Sequence, residues 1–143
     1  MAKLYTVEVN FREISDYEKS WLNACGCYDK FVRDFLNTLA NMIIEKAIPR
    51  TPVKTGRLRR SYKVTRVRTK GSITEVTVYN DARSDGAGES YASYIELGHF
   101  TRSRIRWIEG RWMLTISTDE VEAEMQRVWN ILFKRWAKRM GIE

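Results

Sequence analysis

The sequence predicts an α+β fold, in which two long helices pack on one face of a small, mostly antiparallel sheet containing a β-hairpin. Three observations predict it. Leu4 to Phe11 alternates apolar and polar residues. Two long segments, one early and one C-terminal, repeat apolar residues at helical spacing. Between them, two short β-branched runs flank Lys70-Gly71. The 143 residues suit a single domain spanning 1–143.

The first element is a strand at 4–11. Tyr5, Val7, Val9 and Phe11 share one face, and Thr6, Glu8 and Asn10 the other, as a strand with one buried face requires. A short helical turn around Tyr17 to Leu22 follows, ended by Gly26. The next helix, 28–48, carries Phe31, Phe35, Leu39, Met42, Ile43 and Ala47 at helical spacing. Asp29 suits the positive end of its dipole, and Pro49 and Pro52 are expected to stop it. A short helix or turn at Gly56 to Ser61 leads into the hairpin, 62–79, built from Tyr62 to Arg68 and Ile73 to Tyr79. On the second strand Val76 and Val78 face one way, with Glu75, Thr77 and Tyr79 facing the other. Val64 and Val67 differ in parity, so a bulge is expected between them. Asn80 to Ser90 reads as a polar, mobile loop. Tyr91, Tyr94 and Ile95 fit a helical turn that Gly98 caps.

After a basic loop, Ile105 to Ile108 is expected to be extended. The last helix is read from Asp119 to Met140 and, with an earlier start, is placed at about 112–140. Its apolar stripe is Val121, Met125, Val128, Leu132, Trp136 and Met140. Trp129 and Phe133 fall off that stripe and are expected to contact a neighbouring subunit. Acidic residues fill its start and Lys134, Arg135, Lys138 and Arg139 its end, as the dipole prefers.

Composition narrows the function. Hydrophobic residues make up 43% and aromatics 12%, enough for a core. No apolar run approaches the roughly 20 residues that span a bilayer, so no membrane role is expected. The N-terminus alternates instead of forming a signal-peptide block, so the chain is expected to stay in the cytoplasm where it is made.

Net charge is +7, unevenly spread. Arg50 to Lys70 holds nine basic residues and no acidic one. Asp119 to Glu124 is acidic, and Arg127 to Arg139 basic. Such segregation serves an anionic partner such as DNA, a head-to-tail contact between identical subunits, or simply a set of solvated faces.

Catalytic material is scarce. There is no Gly-x-Ser-x-Gly, His-Glu-x-x-His or phosphate-loop pattern. Cys25, Cys27 and the lone His99 do not complete a zinc site, and the thiols are expected to be free. No metal, cofactor or small-molecule substrate is expected, and Glu96 with His99 lacks a nucleophile or metal ligand. Glu96 stands between Ile95 and Leu97, where a buried charge needs a partner, with Arg57 or Arg111 as candidates. It serves either a subunit contact or an internal brace.

The basic residues Arg57, Arg59, Arg60, Lys63, Arg66, Arg68 and Lys70 form the strongest cluster, joined downstream by Arg102, Arg104 and Arg106. They are candidates for contact with DNA or a neighbouring subunit. Only Tyr62 is interleaved among the first seven, so any DNA contact is expected through the backbone, salt-sensitive and without sequence preference.

Three segments in order carry a resemblance. They are Thr51-Pro-Val-Lys-Thr-Gly-Arg-Leu-Arg-Arg60, then Tyr91-Ala-Ser-Tyr-Ile-Glu-Leu-Gly98, then Trp107-Ile-Glu-Gly-Arg-Trp-Met-Leu114. In the first, Pro52 sets a turn and Thr55 is expected to cap the helix that Gly56 begins.

Together the three resemble a family of small neck, or minor tail, components of long-tailed double-stranded DNA bacteriophages and prophages. The likeness runs from about the helix before Pro49 to the helix after Leu114. It leaves out the first two dozen residues. His99 and Phe100 depart from its pattern.

The resemblance implies a structural virion protein at the head–tail junction, with no enzymatic activity. It implies a homo-oligomeric ring through which genome DNA passes, with other head–tail connector and tail proteins as partners. Thr55, Gly56, Glu96, Gly98 and Arg111 would brace the fold. The basic segments would face either the DNA or a neighbouring subunit, and both the neck and the tail-completion positions suit it. The alternative is a basic, non-sequence-specific nucleic-acid-binding module.

Overall fold

The structure, a computed structural model, describes residues 5–8, 16–71, 73–83 and 90–141. Its elements are β1 (Tyr5–Glu8), α1 (Asp16–Ala24), α2 (Tyr28–Arg50), α3 (Arg57–Arg60), β2 (Tyr62–Val64), β3 (Arg68–Lys70) and β4 (Ile73–Asn80). Then come α4 (Ala92–Leu97), β5 (Gly98–Phe100), β6 (Trp107–Glu109) and α5 (Met113–Arg139). Val9 and Phe11 of the expected first strand lie outside the described residues, as does the middle of the Asn80–Ser90 loop, 84–89.

The chain is α+β, with its two long helices packed on one face of a small antiparallel sheet. β4 is the centre of that sheet. β1 pairs along one edge, with Tyr5 opposite Val78 and Val7 opposite Val76. The other edge is shared end to end by β2, with Val64 opposite Val78, and β3, with Arg68 opposite Glu75. The expected first hairpin strand is thus broken in two. Between its halves Thr65 folds onto β4. Its N–H donates to the Thr77 carbonyl at 2.9 Å, and its hydroxyl accepts from the Thr77 N–H at 3.0 Å. That interruption lets Val64 and Val67, of opposite parity, both pack against the core.

Val76 and Val78 on the inner face of β4 are fully buried, and share one core with α2 and α5. The two helices run antiparallel. Lys46 and Arg50, late in α2, pair with Glu120 early in α5. Phe31, early in α2, meets Trp129, Phe133 and Trp136 late in α5. The ring centroids of Trp129 lie 4.8 Å from Phe31 and 5.0 Å from Phe35, both edge to face, a geometry that adds about 0.5–1.5 kcal/mol per pair beyond burial.

This corrects the expectation for Trp129 and Phe133. Trp129 is only 2% exposed and so is no surface for a neighbour, and Phe133 packs half-buried against the same core. The inward face of α5 drifts between Val128, Trp129, Leu132 and Phe133, because 3.6 residues per turn spread the buried stripe over adjacent positions. Met140, assigned to that stripe, is half exposed.

Pro49 does not stop α2, which runs through it to Arg50. The ring removes one backbone donor, but the last carbonyls find side chains. Arg50 Nη1 donates to the Lys46 carbonyl at 2.9 Å, and the Thr51 hydroxyl donates to that of Ala47 at 2.7 Å.

A second, smaller core holds Leu58, Ala82, Ala92 and Met113, flanked by Tyr91 and Ile95. It joins α3, α4 and the start of α5. β5 and β6 form a two-stranded hairpin of their own, with Phe100 opposite Trp107. Residues Gly98 to Phe100 thus continue as a strand, where only the segment from Ile105 was expected to be extended.

Candidate functional site

The three motif segments meet at the start of α5. The last residue before that helix, Trp112, has left-handed backbone angles (φ 50, ψ 36) and no side-chain cap. The first N–H groups of α5 therefore need acceptors from elsewhere. Glu96, on α4, supplies them. Its Oε2 accepts from the Leu114 N–H at 3.0 Å, and its Oε1 from the Thr115 N–H and the Thr115 hydroxyl, both at 2.9 Å. The carboxylate is 4% exposed, and its charge sits on the positive end of a 27-residue helix. Its partner is a helix terminus, not Arg57 or Arg111 as the sequence reading expected. Arg111 is exposed, and its N–H donates to the Ile95 carbonyl at 2.7 Å.

Two glycines make the approach possible. A Cβ on Gly110 would stand 2.4 Å from the Glu96 carbonyl oxygen. One on Gly98, where φ is +85, would stand 2.6 Å from the Ile108 carbonyl oxygen. Both are backbone clashes that no rotamer relieves. Gly110, Leu114 and Thr115 are the partners that the sequence reading did not assign. The signal was present in Gly-x-x-Met-Leu, because Gly110 and Met113 fix where the helix starts. Which carboxylate caps it depends on tertiary contact.

The threonine-proline turn is built around Thr51, buried at the end of α2. Its hydroxyl meets the Tyr62 hydroxyl at 2.7 Å, and Tyr62 in turn reaches Met113 Sδ at 3.8 Å. Burial is the main cause that pushes the Tyr62 phenol above its ordinary pKa, with Glu96 adding to it. Gly56 adopts φ +76 at the start of α3. Thr55 Oγ1 lies 3.4 Å from the Arg57 N–H, a long contact and not the expected cap. Pro52, Val53, Leu58, Tyr91 and Ile95, with Lys54 and Arg57, line a half-open groove of about 450 Å³ between this turn and α4.

The basic residues do not form one patch. Arg57 donates to the Arg83 carbonyl at 3.1 Å, Arg59 to that of Thr51 at 3.3 Å and Arg60 to that of Thr55 at 3.4 Å. Lys63 is ion-paired with Asp81, a hydrogen bond that raises its pKa. Arg66, Arg68 and Lys70 are exposed at the far end of the sheet. Arg102, Arg104 and Arg106 are exposed on the separate β5–β6 hairpin. Glu96 and His99 are not brought together, since Glu96 turns to α5 while His99 Nδ1 lies 3.3 Å from the Tyr94 carbonyl. Cys25 and Cys27 are free thiols, and among the described residues no group of three or more His, Cys, Asp or Glu is placed to hold a metal ion. Among the same residues no helix is long and apolar enough to cross a membrane.

A family model described as "Bacteriophage HK97-gp10, putative tail-component" matches residues 26–98, half of the chain. No curated protein and no solved structure gives a significant match. The match begins two residues before α2 and ends at Gly98. It takes in the first two motif segments and leaves out Trp107–Leu114, which the resemblance had included.

Proposed function

The chain belongs to the HK97-gp10-like family of bacteriophage tail components, and from that premise we propose that it is a structural virion protein at the head–tail junction. Identical copies assemble into a ring or collar, the genome passes through it, and other connector and tail proteins bind its two sides. Family membership is the observation that carries this reading. The geometry supports it by giving Glu96 a purely architectural task, which matches assembly by surface complementarity and no bond chemistry. Thr55, Gly56, Glu96 and Gly98 then act as braces, and Arg111 through its backbone alone.

Within that reading, Arg66, Arg68 and Lys70 are the residues for the DNA backbone, because all three are exposed, on β3 or just before it, and none is committed to an ion pair among the described residues. Sedimentation across concentration, at low and high salt, tests the assembly. A closed ring supports it. A chain that stays monomeric alone and in the presence of purified connector refutes it. The exposed β3 cations also favour a second reading, a nucleic-acid module acting outside a virion. Duplex affinity of the monomer that falls steeply with salt and is lost in a triple alanine variant of Arg66, Arg68 and Lys70 supports that reading.

A further inference from the structure

We propose that the β5–β6 hairpin is the arm by which one copy of this chain grips the next, and that it docks on the exposed acidic stripe of α5 formed by Ile116, Asp119, Glu122 and Ala123. The inference rests on the ring reading above and names its contact surface. The hairpin exposes apolar side chains that its own fold leaves uncovered. Ile105 is 86% exposed, the most of any large apolar residue described, and Phe100 is 60% exposed. Trp107, at 43%, stands on the same face as Phe100, and Ile108, at 42%, on the opposite one. A two-stranded hairpin is marginal in water by itself, and large apolar side chains exposed together on so small an element mark a protein contact.

The aliphatic tip also decides against DNA as the occupant. Ile105 and Ile108 gain nothing from phosphates, and duplex DNA offers no unstacked base to Phe100 or Trp107. Charge then selects the protein surface. Arg102, Arg104 and Arg106 are exposed, with no ion-pair partner among the described residues.

The complementary surface must be acidic, partly apolar and equally unused. Glu120 is taken by Arg50 and Lys46, and Glu124 by Lys46. Asp119 and Glu122 are exposed and form no ion pair among the described residues, and the exposed Ile116 and Ala123 flank them along the helix on the adjoining side. The outer face of α2 mixes Lys30, Arg33, Asp34 and Glu45 and exposes no large apolar side chain. The groove beside α4 is apolar but lined by Lys54 and Arg57, which repel the arm. An arm on one part of the surface and its receptor on another make a heterologous contact, the type that closes rings.

Two measurements on the full chain test this. Sedimentation velocity compares the wild type with an arm variant (R102E, R104E, R106E), a face variant (D119K, E122K) and the two combined. Each reversal alone is expected to raise the concentration needed for assembly about tenfold or more, and the combination to restore it within about threefold. A wild-type ring with unchanged assembly in both single-surface variants keeps the ring reading and overturns this inference. The second measurement is oxidative cross-linking with Cys25 and Cys27 replaced by serine. Ile105→Cys with Ala123→Cys is expected to give disulfide-linked oligomers, detected even where the free ring is weak. Linking of Ile105→Cys to Val53→Cys in the groove, and not to Ala123→Cys, overturns the docking site. A wild type that stays monomeric even with purified connector, together with no cross-link from either cysteine pair, overturns both.

Discussion

Replacing Glu96 by glutamine keeps the side-chain volume and removes only the charge and one acceptor. Three hydrogen bonds converge on that carboxylate, two from backbone N–H groups of the first turn of α5. In the glutamine variant the amide oxygen keeps the Thr115 donors, and the amide nitrogen is turned against the Leu114 N–H. A hydrogen bond to a charged group is worth about 1.5–3 kcal/mol, against about 0.5–1.5 kcal/mol for a neutral one. The charge–dipole interaction adds about 0.3–1 kcal/mol.

Glu96→Gln is therefore expected to destabilise by about 2 kcal/mol. Glu96→Ala, which leaves the buried Leu114 N–H without an acceptor, is expected to cost about 3–5 kcal/mol. Urea unfolding followed by circular dichroism reads this. With a slope near 2 kcal/mol per molar, the glutamine variant's midpoint falls by about 1 M at unchanged slope. Amide hydrogen exchange at Leu114 and Thr115 should accelerate along with it. A midpoint within about 0.2 M of wild type for the glutamine variant, with those amides still protected, would refute the cap.

Three further outcomes follow from the same geometry. Gly110→Ala should destabilise by about 2–4 kcal/mol through a backbone clash, whereas Gly26→Ala, with nothing near its Cβ but φ +66, should cost only about 1–2 kcal/mol; a urea series on the pair separates crowding from backbone strain. Tyr62→Phe should change the alkaline limb of stability. The folded phenol pKa is raised above the unfolded value near 10, so its contribution is complete below about pH 10 and is lost as pH climbs through the raised value. The phenylalanine variant should lack that loss in thermal melts between about pH 9 and 11. Trp129→Ala should cost about 3–5 kcal/mol in the same urea assay, as a core side chain would and a surface contact would not.

What the sequence made legible was periodic. The helical repeat of Phe31, Phe35, Leu39 and Ile43, and the alternation of Val76 and Val78, each state a buried face directly, and all six are buried. What escaped was set by contacts distant in sequence. Trp129 lies off the simplest stripe of α5, and its burial follows from where Phe31 and Phe35 stand, roughly a hundred residues earlier. Pro49 reads as a helix stop, yet the helix runs one residue past it, and the Arg50 and Thr51 side chains satisfy the carbonyls of Lys46 and Ala47 in its last turn. For Glu96, its place between two aliphatic residues predicted burial, and the nearest cations in the motif pointed to arginine. The helix N-terminus that holds it is a backbone group and has no letter in the sequence. The basic run 57–70 looked continuous because sequence proximity hides direction. In three dimensions α3 spends its arginines on carbonyls and Lys63 pairs with Asp81, whereas Arg66, Arg68 and Lys70 form no ion pair among the described residues.

The division between charges satisfied within the chain and charges left over has a consequence for assembly. Lys46, Arg50, Glu120 and Glu124 close a network that braces α2 against α5 at moderate exposure, and salt should touch it little. Among the described residues Arg102, Arg104 and Arg106 meet no carboxylate within the chain, and in the proposed contact they would meet Asp119 and Glu122 across a subunit boundary. Their attraction there is screened, and exposed pairs are worth no more than about 1 kcal/mol each. The apolar tip, Ile105 with Phe100, contributes through burial, which salt strengthens. The two contributions therefore respond oppositely to ionic strength. Chloride at moderate concentration should loosen the ring by weakening the arginine contacts. Sulfate at equal ionic strength should loosen it less, because its exclusion from apolar surface favours burying the tip. A ring indifferent to the choice of anion would mean that the hairpin's apolar residues are not in the interface. A ring tightened by chloride would mean that its charges are not.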